Sequence, residues 1–64
     1  VAMTPEQSRA AAAWLNQMPA ARASGIRARL LDAPDPWAVL TASEQGEAIR
    51  ALRDLRARQA RTRP

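Results

Sequence analysis

The chain has 64 residues, with ten arginines and no lysine against six acids, a formal net charge of +4, and neither cysteine nor histidine. This composition excludes disulfide staples, cysteine–histidine zinc sites and histidine-based catalysis. Sixteen of the apolar residues are alanine, which leaves only fourteen larger apolar side chains to build a core.

A domain this small buries a reduced share of its surface and leans on a partner or a second copy for stability. A homodimer or a partner-dependent fold is therefore expected. No apolar run reaches the length of a membrane span and nothing resembles a signal peptide, which predicts a cytoplasmic protein with no membrane partner. Arginine used to the exclusion of lysine fits GC-rich bacterial coding first, and selection for phosphate or carboxylate forks second. Val1 in place of methionine suggests a single domain, 1–64, processed or excised from a larger protein.

The first helix is expected over about 4–18. Thr4-Pro5-Glu6-Gln7 places threonine at the cap, proline at the first helical position and glutamine at the third, the spacing of a capping box. Ala10, Ala11, Trp14, Leu15 and Met18 then share one face. Pro19 ends the helix by driving its predecessor out of the helical region.

The second helix, about 20–32, carries Ala23, Ile26 and Leu30 on one face, with Leu31 adjoining. Gly25 costs about 1 kcal/mol relative to alanine inside a helix. Two readings stay open: one helix throughout, or a turn at Ser24-Gly25 followed by a helix. The second reading resembles the core of a bacterial helix-turn-helix across residues 20–31, with Ala21, Gly25, Ile26 and Leu31 at the small, turning and buried positions. Ser24 stands where that pattern has leucine. The resemblance implies a DNA-binding regulator in which Arg27 and Arg29 face a groove.

Ala33-Pro34-Asp35-Pro36 reads as an extended linker. Trp37 to Leu40 reads as a single turn, with Leu40 stapled onto the last helix. That helix, about 42–61, begins at a second capping box, Thr41 and Glu44, and carries a stripe of Ile49, Leu52 and Leu55 beside Ala48 and Ala51. Glu47, Arg50, Asp54 and Arg58 alternate along its outer face as expected for a solvated ion-pair ladder. Residues 55–64 form a basic tail that holds Arg56, Arg58, Arg61 and Arg63 and no acid.

The fold expected is an all-α bundle of three main helices packed around Trp14, Leu15, Met18, Ile26, Leu30, Leu40, Ile49, Leu52 and Leu55. Two helices, a proline linker and a third helix resemble the layout of docking domains that join megasynthase subunits, although those tails are commonly acidic. The expected function is non-catalytic protein–protein assembly, with Trp37, Leu40, Ile49, Leu52 and Leu55 at the interface. The alternative is nucleic-acid binding through Arg27, Arg29, Arg56, Arg58, Arg61 and Arg63. No catalytic, metal or cofactor-binding residue is expected, because the carboxylates fall at caps, turns and helix ion pairs and no glycine-rich phosphate loop exists.

Overall fold

In the computed structural model, residues 3–62 are described, and they form four helices without strands. α1 spans Pro5–Asn16 and begins at the expected capping box: Gln7 N–H donates to Thr4 Oγ1, and Thr4 N–H donates to Gln7 Oε1, each at 3.1 Å. It closes two residues earlier than Met18. Gln17 is already the cap, and its N–H bonds Trp14 O at 3.1 Å. The restriction that Pro19 imposes on Met18 thus reaches back one further residue.

α2, Ala20–Leu31, is one uninterrupted helix. No glycine takes a positive φ, so Ser24-Gly25 makes no turn, and the helix-turn-helix geometry that the alternative reading needs within 20–31 is not formed. The helix-forming alanines and arginines around Gly25 outweigh its cost of about 1 kcal/mol. A Cβ built at Gly25 or at Gly46 meets nothing within 4 Å. Gly25→Ala and Gly46→Ala are therefore each expected to raise stability by about 0.8–1 kcal/mol, the helix propensity difference. Chemical denaturation would read this, and a loss of stability in either variant would refute helical backbone at that position.

The proline segment is shorter than an extended linker from 33 to 36, because Pro36 opens α3, Pro36–Val39. Asp35 caps this single turn by accepting from Ala38 N–H at 3.4 Å. α4, Ala42–Thr62, then starts at the second capping box: Glu44 N–H donates to Thr41 Oγ1 at 3.1 Å and Thr41 N–H to Glu44 Oε1 at 2.9 Å. Leu40, just before the cap, is buried as expected. The residue opposite it at the fourth helical position is Gln45, whose amide donates to the Trp37 and Leu40 carbonyls at 2.9 and 3.4 Å. The junction is thus held by polar bonds as well as by burial.

α1 against α4 is the principal packing. The buried cluster joins Ala10, Ala13, Trp14 and Leu15 of α1 to Ala23 and Ile26 of α2, Leu40, and Ala48, Ala51 and Leu52 of α4. Alanines at this seam let the two helix backbones approach closely, so a core with few large side chains still closes. Gln17 Nε2 crosses from the end of α1 to Ala51 O at 3.0 Å. Met18, Leu30, Trp37 and Leu55 pack on the periphery.

Ile49 departs from its expected core position, being 49% exposed. At 100° per residue, the buried set Ala48, Ala51, Leu52 and half-buried Leu55 centres about 110° away from Ile49. Alanines, not Ile49, complete the seam. Leu31, expected beside the second helix's core face, is 84% exposed.

Candidate association groove

Three elements converge on a groove of about 380 Å³. α1 supplies Glu6, Gln7 and Ala10, α3 supplies Trp37, and α4 supplies Ile49, Leu52, Arg53 and Arg56. The floor is apolar, with buried Ala10 and Leu52 beneath half-buried Trp37 and half-exposed Ile49. Trp37 is held there by the cap of α3 and by the Gln45 amide on its carbonyl.

The walls carry opposite charge. Glu6 stands on the α1 side, Arg53 and Arg56 on the α4 side. Arg56 spans the groove end with both guanidinium nitrogens on the Glu6 carboxylate, one at 3.0 Å. These hydrogen bonds hold the Glu6 carboxyl below its ordinary pKa and raise that of Arg56. Arg53 has no acidic partner within 4.0 Å among the described residues.

The expected interface residues separate in space. Trp37, Ile49 and Leu52 meet in this groove. Leu40 is 3% exposed and belongs to the core of the single chain, so it has no surface to offer. Leu55 lines a different hollow with Ala13, Asn16 and Arg58. Glu6, Gln7, Ala10, Arg53 and Arg56 complete the groove, although the sequence did not mark any of them as a protein-interface residue. Nothing local to α1 announces that its first turn faces α4 residues more than forty positions away.

The arginines of the nucleic-acid alternative separate too. Arg29 donates to Glu44 at 3.2 Å and to Val39 O at 3.3 Å. It ties α2 to the end of α3 and the start of α4, and so is engaged within the fold. That hydrogen bond, with the Thr41 N–H behind it, keeps the Glu44 carboxyl below its ordinary pKa. Arg27 is exposed beside Leu30 and Leu31. Two residues apart on one helix, Arg27 and Arg29 point about 160° apart and cannot share a recognition face. Arg58 and Arg61 are exposed on α4; Arg63 lies outside the described residues.

The ladder expected along Glu47, Arg50, Asp54 and Arg58 is not closed. The ion pairs among the described residues are Arg9–Glu6, Arg29–Glu44 and Arg56–Glu6. An exposed helical pair is worth only about 0.3–0.5 kcal/mol, too little to hold two long side chains in one geometry. Arg22 lies over the Trp14 ring at 5.9 Å from its centroid.

Among the described residues no group of three or more histidine, cysteine or acidic side chains could hold a metal ion, and no helix is long and apolar enough to cross a membrane. No family model, curated protein or solved structure matches the chain.

Proposed function

We propose that this chain is a non-catalytic assembly module that pairs with a second copy of itself through the groove between α1, α3 and α4. The observation that carries the reading is half-exposed Ile49 beside Trp37, on an apolar floor between walls of opposite charge. A two-fold contact apposes the same patch on both partners. A groove with an acid on one wall and a free cation on the other complements itself under that operation, Glu6 of one copy facing Arg53 of the other. Desolvating Ile49 and Trp37 supplies the attraction, and the charges set the register.

A standard interface takes about 800 Å² from each partner. The chain's exposed surface is 4536 Å², against about 4,000 Å² expected for a folded monomer of its mass.

Sedimentation equilibrium tests the reading. The wild-type chain is expected at twice its 7.0 kDa mass. Ile49→Asp, which places a carboxylate on an already exposed position, is expected to sediment as a folded monomer with unchanged helical circular dichroism. A wild-type chain that stays monomeric at millimolar concentration overturns the second copy as the groove's occupant. A variant that dimerises like wild type moves the interface elsewhere.

A further inference from the structure

Charge is divided unequally along this chain. Residues 1–47 hold five acids and four arginines, whereas residues 48–64 hold six arginines and one acid, Asp54. The structure turns that division into a shape. All buried residues of α4 lie in its first half, at Ala48, Ala51 and Leu52, and Leu55 is half-buried. From Arg56 to Thr62 every residue is exposed while the backbone stays helical. The result is an exposed cationic helical arm whose Arg58 borders the hollow of Ala13 and Asn16 and whose Arg61 stands near Gln17 at the end of α1.

The distribution of charge around this arm says what kind of surface it fits. At 100° per residue Arg53 and Arg58 point about 140° apart, with Arg61 between them on the outer side and the single acid, Asp54, beside it. None of these three has an acidic partner within 4.0 Å among the described residues. A flat acidic surface can be met by one side of a helix only. Cations fanned across such an arc suit a trough with anionic walls on both sides. An α-helix with its side chains is about 10–12 Å across, and the duplex DNA major groove is about 12 Å wide between phosphate walls.

The exposed positions after Leu55 are arginine, alanine, glutamine and threonine. They offer no large apolar side chain to insert into a bilayer or to form the dry centre of a protein interface. They offer no aromatic ring on which to stack single-stranded bases. We infer that the C-terminal half of α4 is a phosphate-binding arm for nucleic-acid duplex, gripping both backbones of a groove through Arg53, Arg58 and Arg61 without reading sequence. The arm shares Arg53 with the dimer groove, where it faces Glu6 of the second copy, so a paired chain grips with Arg58 and Arg61 and an unpaired chain adds Arg53.

The test is fluorescence anisotropy of a labelled 20-base-pair DNA duplex with the full chain at rising salt. Two phosphate contacts per paired chain, from Arg58 and Arg61, predict a slope of log affinity against log salt of about −1.8, and three per unpaired chain about −2.7. Arg58→Ala/Arg61→Ala is expected to flatten that slope by about 1.8. Arg9→Ala/Arg27→Ala, with the same loss of net charge on exposed positions outside the arm, is expected to leave it near the wild-type value. Ile49→Asp is expected to release Arg53 and steepen the slope per chain by about 0.9, so that loss of pairing and loss of the arm move it in opposite directions. Equal flattening in the two double variants overturns the arm, since net charge alone would then account for binding. So does equal or tighter binding of the single strand of the same length. Binding to vesicles containing anionic phosphatidylserine at a salt concentration where the duplex is released also overturns it, in favour of a lipid headgroup.

Discussion

Trp14→Ala is expected to cost about 3–5 kcal/mol of folding stability, the range for removing a large buried aromatic side chain. Trp14 is 5% exposed and is the bulkiest member of the buried cluster, all of whose other members are alanine, leucine or isoleucine. Alanines cannot move into the space it vacates, because they already bring helix backbones into contact and have no rotamers to adjust. The cavity therefore persists, and its energetic term adds to the lost transfer energy. Marginal stability of about 0.05–0.15 kcal/mol per residue allows a chain of this length only about 3–10 kcal/mol in total. The variant should be largely unfolded, or melt far below wild type, by circular dichroism. A Trp14→Ala chain that melts within a few degrees of wild type would mean that the α1–α4 seam is not the core. Arg22→Ala, which removes only the cation over the ring, should cost no more than about 1 kcal/mol.

Leu52→Ala is expected to destabilise the fold by about 2–5 kcal/mol. Leu52 is 7% exposed and is the only large side chain that α4 buries in the seam, between Ala48 and Ala51 on one side and half-buried Leu55 on the other. It also forms part of the groove floor. The measurement should therefore be made at dilute concentration, where the loss reports folding and not pairing. Arg61→Ala, nine residues further along the same helix and fully outside the seam, is expected to change stability by less than about 0.5 kcal/mol. If the two variants melt alike, the orientation of α4 is wrong. The contrast also separates the arm from the fold, because the side chains proposed to meet phosphates should be dispensable for folding.

What could be read from the sequence was local. Thr4 with Gln7, and Thr41 with Glu44, form their capping boxes because a helix brings the cap and the third position within hydrogen-bonding reach whatever surrounds them. Pro19 ends α1 and Pro36 opens α3 through the fixed φ of the proline ring and the crowding of its predecessor, again without reference to the rest of the chain. The apolar periodicity of α1 and α4 announced an all-α bundle because a stripe on a helix must be covered by something.

Which stripe is covered, and by what, belonged to the tertiary structure. Ile49 fits a three-residue repeat with Leu52 and Leu55, yet the seam selects Ala48 and Ala51, because close backbone approach at alanine gains more contact than burying one further branched side chain. Gly25 marks a turn by composition, but its neighbours keep the helix and the turn never forms. Arg29, read as a groove-facing cation, is drawn to Glu44 and the Val39 carbonyl once α3 folds beneath it. Glu6 and Arg56 are fifty residues apart, and no pattern of spacing connects them. Helix caps are decided within four residues by backbone geometry. The groove and its charged walls arise only where α1, α3 and α4 meet, from the packing of side chains that are distant in the chain.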